Sequence, residues 1–306
     1  MPVMEGKSIL FKEFANVDAF PICLDTQDID EIVETVKYIA PTFGGINLED
    51  IGAPKCFEIE ERLRKELNIP VFHDDQHGTA VVVISGLING LKIVKKEFKE
   101  IKVVVNGAGA AGIAITKMLL NLRVRDIILC DSKGMIYEGS SSNNKYKEKI
   151  AKVTNREKKK GRLKDAMVGA DVFIGVSVAN VVTEEMVKSM NSDSIIFAMA
   201  NPIPEIMPDI ALKAGARVVG SGRSDFANQI NNVLAFPGIF RGALDVRATQ
   251  INEEMKLAAA YAIADLITED ELKEDYVIPD AFDKRVVGKI TEAVKNAAIK
   301  TGVSKI

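Results

Sequence analysis

The chain has 306 residues, 47% of them hydrophobic and 27% charged, with a formal net charge of −3 at neutral pH. That length can bury one large core and part of another, and the near balance of acids and bases gives no reason to expect nucleic acid or an anionic membrane as a partner. No apolar run reads as a bilayer span, the opening MPVMEGKSILFKEF lacks a signal-peptide layout, and Cys23, Cys56 and Cys130 have no CxxC spacing, so the sequence reads as cytoplasmic with buried free thiols.

In chain order, apolar runs alternate with helical patterns, the signature of βαβ units and a parallel sheet. AFPICLD (19–25), GGINLED (44–50) and IPVFHDD (69–75) read as short strands, and DIDEIVETVKYIA and KCFEIEERLRKEL between them as helices with apolar residues at three-to-four spacing. GTAVVVISGLINGLKIV follows as a largely buried helix. A second α/β series then predicts strand 101–106, helix 110–121, strand 126–130 and strands near 171–175, 195–199 and 216–219. Between the second and third strands of this series, NNKYKEKIAKVTNREKKKGRLKDA is basic. It reads as a solvated connection carrying one helix, with a phosphate-binding patch as the alternative. After Gly242, NEEMKLAAAYAIADLI and RVVGKITEAVKNAAIK are helical patterns that would pack back on the sheet. The joint between the two parts falls near residues 76 to 95.

The stretch VVVNGAGAAGIAI (103–115) combines a buried strand, a Gly107-Ala-Gly109-Ala110-Ala-Gly112 turn and the start of a helix. Glycines there let the chain turn, let backbone approach a pyrophosphate and let helix pack on strand; Asp131, ending the next apolar run DIILCD, can hold a ribose hydroxyl. Together these predict a doubly wound Rossmann-type NAD(P)-binding domain, with Ser177 at the end of IGVSVAN as a further cofactor contact. Asp131 favours NAD by repelling a 2′-phosphate, while Lys133 could pair with that phosphate in NADP.

Two acidic pairs, Glu49-Asp50 and Asp74-Asp75, end successive predicted strands. Carboxyl ends of neighbouring parallel strands converge on one crevice. Carboxylates gathered there would call for a hard divalent cation, Mg²⁺ or Mn²⁺, and not zinc. The other reading is that these acids are helix N-caps, Asp75 above all. Both readings stand on spacing alone. The only histidines, His73 and His77, flank the second pair, where charge complementarity explains them as well as catalysis does. Asn201 precedes a proline after a strand, and Asn231 or Asn232 could cap a helix.

MEGK, GGINLEDI, VFHDDQHGTAVV, VVVNGAGAAGIA, ANPIPEI and NNVLAFPGIFRGALD, in this order, resemble bacterial and archaeal malic enzymes over essentially the whole chain. The resemblance implies oxidative decarboxylation of malate to pyruvate and CO₂ with NAD, or NADP, and Mg²⁺ or Mn²⁺. It implies Glu49, Asp50 and Asp75 as metal ligands, Asp74 as a neighbouring active-site acid and Lys7 as general base. Asn201 and Asn232 would contact the substrate carboxylate, and Gly107, Gly109, Ala110 and Gly112 the pyrophosphate. Lys7 is then expected near neutral pKa through burial and neighbouring positive charge.

The fold class expected is therefore α/β: a Rossmann-type NAD(P)-binding domain with C-terminal helices at 77–306, and a truncated smaller α/β domain carrying the metal site at 1–76. Family members carry a further segment before Pro2, with the tyrosine regarded as general acid and helices of a homodimer. None of Tyr38, Tyr137, Tyr146, Tyr261 and Tyr276 matches that tyrosine, so the first expectation is an internal methionine read as the start, with turnover slow or absent. A truncation, a separately encoded upstream piece, and a non-catalytic NAD(P)- and metal-binding remnant acting with a full-length partner are the alternatives.

Overall fold

The computed structural model describes residues 1–306. They group into two compact units, one of Met1–Val82, Asn232–Leu266 and Ala281–Ile306, the other of Val83–Asn231 and Ile267–Asp280. This spatial grouping differs from the linear division at residue 76, because the C-terminal helices join the N-terminal residues.

The first unit begins with α1 (Pro2–Ala15), α2 (Ile29–Ile39), β1 (Ile46–Leu48), α3 (Lys55–Glu66), β2 (Val71–His73) and the start of α4 (Asp74–Val94). β1 and β2 pair in parallel, with Leu48 opposite His73, so the acids that follow each strand leave from the same edge. Ile32, Val33 and Val36 of α2 pack with Ile59 and Leu63 of α3, Leu48 and Val71. The segment AFPICLD, expected as a strand, forms none. Pro21 has no N–H for a ladder, and Phe20 and Ile22 face solvent where a strand of this core would bury them. Helix α1 has no counterpart in the sequence reading. Phe11 anchors it, with ring centroids 4.8 Å from Phe236 and 5.3 Å from Phe240.

By length and composition α4, with 21 residues, could cross a bilayer, contrary to the reading that no run is long enough; 78% of its most apolar window is buried, as in a core helix.

The second unit contains β3 (Lys102–Asn106), α5 (Ala110–Asn121), β4 (Asp126–Asp131), β5 (Gly134–Met135), α6 (Lys145–Ala151), α7 (Leu163–Met167), β6 (Val172–Gly175), α8 (Glu184–Lys188), β7 (Ile195–Ala198), α9 (Pro208–Lys213) and β8 (Val218–Ser221). The strand order is β5-β4-β3-β6-β7-β8, parallel throughout except for the short antiparallel edge strand β5. The order changes direction between β3 and β6, the switch point at which open α/β sheets bind ligands. Buried Val104, Ile128, Phe173, Ile196 and Val219, one from each long strand, centre its core. The basic connection holds two short helices, α6 and α7, where one was expected; Asn144 caps the first by accepting from Tyr146 N and Lys147 N.

The first unit is completed by α10 (Phe236–Asp245), α11 (Glu253–Ala264) and α12 (Arg285–Lys300). A Cβ on Gly238 would stand 2.7 Å from Ile290 Cβ, and one on Gly242 2.7 Å from Thr291 O, so the two glycines set how closely α10 approaches α12.

Candidate active site

In the first unit, the parallel pairing of β1 with β2 delivers Glu49-Asp50 and Asp74-Asp75 to one edge. The side chain of Lys7 reaches that edge from α1. Its ammonium is ion-paired to Asp74 and stands 3.3 Å from Glu49 Oε1, with its charge 4.3 Å from the centroid of the Phe236 ring. Asp74 Oδ2 also accepts from Asn232 Nδ2 at 2.6 Å. The structure thus brings together Lys7, Glu49, Asp74 and Asn232. Asn232 sits in a 3₁₀ turn before α10 and spends its side chain on Asp74 rather than on capping that helix.

Asp75 lies within the first turn of α4, where its charge suits the helix dipole. Its Oδ2 accepts from the backbone N–H of Asp50 at 3.0 Å, and His73 Nε2 stands 3.9 Å away. Asp75 is therefore bonded outside its own helix, unlike an N-cap.

The electrostatics of this edge are those of too much negative charge around one cation. Burial, with the charge of Asp74, pushes the Glu49 carboxyl up to about 7 against the pull of Lys7. Burial likewise pushes Asp74 up to about 6 against Lys7 and Asn232. Burial works to lower the pKa of Lys7, but the charges of Asp74 and Glu49 outweigh it and hold it above the ordinary lysine value. The expected near-neutral lysine is corrected here: its neighbours are carboxylates, not cations, so Lys7 is an ammonium.

No three His, Cys, Asp or Glu side chains converge closely enough to hold a metal ion. The donor chemistry nonetheless fits a hard cation. The groups at the edge offer carboxylate oxygen, and Asp74 Oδ1 is buried with no hydrogen-bond partner.

In the second unit, the turn after β3 uses its three glycines differently. Gly107 has φ +118, and a Cβ there would lie 2.3 Å from Val176 O. A Cβ on Gly112 would lie 1.8 Å from Gly107 O, so that glycine lets α5 pack on the turn. A Cβ on Gly109 meets nothing within 4 Å. Gly109 is the N-cap of α5 and Ala110 its first residue, which opens the positive helix end to an anion.

Asp131 ends β4 and is already engaged. Oδ2 accepts from Lys147 Nζ at 2.6 Å and Oδ1 from Lys133 N at 2.8 Å. Burial opposes its charged form, but these bonds outweigh that and hold the carboxyl below the usual range. Lys147, from the basic connection, was not singled out in the sequence, whereas Lys133 bonds Asp131 through its backbone N–H.

Ser177 follows β6. Its Oγ accepts from Asn106 Nδ2 at 2.8 Å, and its N–H and hydroxyl both donate to Glu205 Oε1, at 2.8 and 3.0 Å. Glu205 is fully buried and takes Ala200 N on its other oxygen at 3.0 Å, so one carboxylate ties the loop after β6 to the loop after β7. Sequence reasoning missed Glu205, although it lies inside the quoted ANPIPEI. Asn201 of the same motif is exposed in the turn after β7, with its amide beside Gly222.

A second missed group lies in the first unit. His77 turns away from the acidic pair beside it and bonds Glu60 of α3 and Lys256 of α11. An isolated lysine in the apolar run NEEMKLAAAYAIADLI was the available signal.

Residues 76–299 match the family described as malic enzyme, NAD binding domain, and residues 1–64 that described as malic enzyme, N-terminal domain. The chain is 67% identical over its whole length to a bifunctional malic/malolactic enzyme of Bacillus subtilis, of which it covers 75%. It is 62% identical to an NAD-dependent malic enzyme of Geobacillus stearothermophilus, covering all of this chain and 64% of that one. Relatives named NADP-dependent match at 48 to 50% identity, the chain covering 42% of each. Among solved structures, an NAD-dependent malic enzyme of Thermotoga maritima superposes with a TM-score of 0.92 at 51% identity, over 96% of this chain and 78% of that one.

Proposed function

The chain belongs to the malic enzyme family, and from that premise we propose that it oxidises malate to pyruvate and CO₂ with reduction of NAD or NADP. The observation that carries this reading in the chain itself is the Lys7–Asp74–Asn232 constellation, a proton carrier fixed on a fully buried carboxylate with Glu49 3.3 Å from Lys7.

Glu49, Asp50 and Asp75 would hold Mg²⁺ or Mn²⁺. When bound, the cation compensates the charge of these carboxylates and polarises the substrate oxygens. Lys7, in its neutral form, would take the C2 hydroxyl proton onto Nζ, and NAD or NADP would supply the hydride acceptor. Asp74 and Glu49 stabilise the resulting ammonium, the form their charges already favour. The proton held at Nζ is then available to return to C3 after CO₂ departs. Asn232, held by Asp74, would orient the substrate carboxylate, and Asn201 is a further candidate contact for it. The N-terminus of α5, opened by Gly109, would receive the pyrophosphate, Asp131 would take the ribose hydroxyls, and Ser177 would be a further cofactor contact. A homodimer and a cytoplasmic setting complete the proposal; Val3 and Ile9 on α1, with Phe20 and Ile22 after it, offer exposed apolar surface for association.

Asp75→Asn tests the metal assignment. Malate-dependent turnover with Mn²⁺ should be lost while NAD binding persists, and unchanged turnover would overturn it.

A further inference from the structure

Behind the carboxylate edge of the first unit runs a buried chain of polar groups. Lys256 of α11 is only 2% exposed. Its Nζ stands 2.5 Å from Glu253 Oε1 and 3.1 Å from His77 Nδ1, and His77 Nε2 stands 2.7 Å from Glu60 Oε1. An ammonium can only donate, so His77 Nδ1 accepts and Nε2 carries the proton that it donates to Glu60. The other Glu60 oxygen accepts from Gln76 Nε2 at 3.1 Å. Glu60 therefore grips two consecutive side chains, Gln76 and His77, directly after Asp74 and Asp75.

That grip matters because of where it falls. Residues 74 to 77 make up the first turn of α4, and in a helix the direction of one side chain fixes the directions of its neighbours. The Phe72 ring closes on His77 with centroids 5.5 Å apart. Asp74 has little room, since a Cβ on Gly78 would stand 1.8 Å from its Oδ1. Small rotations of this turn would move Asp74 off Lys7 and Asn232, and Asp75 off Asp50. Packing alone does not account for the trio, because a buried charged group is commonly replaced by apolar residues of similar volume without loss of stability.

We propose that Glu60, His77 and Lys256 are positioning residues that lock the first turn of α4 and thereby set the affinity of the cation site. The proposal rests on the metal reading given above. None of the three is offered as a catalytic residue; they act through α4. Groups that orient metal ligands from behind commonly change metal affinity on the order of 10- to 100-fold.

The test is Mn²⁺ binding to the full chain, followed by the electron paramagnetic resonance of free Mn²⁺, with thermal unfolding measured in parallel. Glu60→Gln and Lys256→Met are compared with the parent and with Ile263→Val, a packing change at a buried position of the same helix α11. Both network variants should weaken Mn²⁺ binding about tenfold or more, while Ile263→Val lowers Tm and leaves the Mn²⁺ Kd unchanged. Lys256→Arg, which keeps the donor, should hold Kd closer to the parent than Lys256→Met does. If Lys256→Met does not fold, Glu60→Gln, nearly isosteric, carries the same reading. Folded network variants with the parent's Kd would overturn the positioning role alone. A Kd that follows Tm equally in Ile263→Val would also overturn it. Absence of Mn²⁺ binding in the parent would instead overturn the metal reading, and the proposal with it.

Discussion

Lys7 and Asp74, 67 residues apart in sequence, form an ion pair in which the carboxylate is fully buried and the lysine partly buried. Asn232 donates to the same carboxylate oxygen at 2.6 Å. A lysine near a chain start is ordinarily a solvated charge; here α1 carries it inward because Phe11, one turn on, packs tilted against Phe236 and edge-on to Phe240. The pair joins the first helix of the chain to the first turn of α4.

Asp74→Asn keeps the shape of the side chain and removes the charge that favours the Lys7 ammonium. The kcat for malate oxidation should fall about a hundredfold or more, the range of general acid–base contributions. NAD affinity, measured by fluorescence titration, should be unchanged. Full turnover in this variant would remove the pair from the mechanism.

The glycines of the turn should separate stability from binding. Gly112→Ala drives a Cβ into Gly107 O and should cost about 1–3 kcal/mol, seen as a lowered Tm. At Gly109 an added Cβ meets no protein atom within 4 Å, so Gly109→Val should leave Tm nearly unchanged, yet weaken NAD binding about tenfold or more by filling the pyrophosphate space. Equal effects of the two on Tm and binding would contradict this division of roles.

Asp131 and Lys147 set up a test of coenzyme choice. Lys147→Met removes the counter-ion of Asp131 and a donor able to meet a 2′-phosphate, so the kcat/KM ratio of NADP to NAD should fall about tenfold, the value of one charged hydrogen bond. Asp131→Asn should move the ratio the other way. A ratio indifferent to both would place the adenosine ribose elsewhere.

The Glu60 carboxyl supplies a pH dependence. Burial works to raise its pKa, but His77 and Lys256 outweigh this and hold it at about 2, below its ordinary 4.5. A depressed carboxylate contributes stability that is present above about pH 4.5 and is lost as pH falls towards 2. Urea unfolding at about pH 5.5 and about pH 3 should show Glu60→Gln losing about 2 kcal/mol less than the parent between them. The same loss in both would mean that Glu60 is not held in its charged form.

What could be read from the sequence was local. The strand, glycine turn and helix of 103–121 are specified by neighbouring residues, and α5 runs over Ala110–Asn121 as its apolar spacing predicts. The acid pairs were legible because they end strands, and parallel pairing then places them at one edge. What failed depended on distant partners. AFPICLD alternates like a strand but finds no ladder, and α1 is set by rings of α10. Lys7 was expected beside positive charge because the chain near it does not reveal that Asp74 and Glu49 are its neighbours. Glu60, Lys256 and Glu205 were passed over because a buried charge looks like a solvated one until its partners, contributed by other elements, are in place.

The central claim is tested most directly by incubating the chain with malate, Mn²⁺ and either NAD or NADP, following reduced coenzyme at 340 nm and assaying pyruvate. Reduced coenzyme and pyruvate should form in equal amounts, dependent on Mn²⁺, and neither should form with Asp75→Asn. Coenzyme reduction without pyruvate, or turnover that survives both chelation and Asp75→Asn, would contradict the claim.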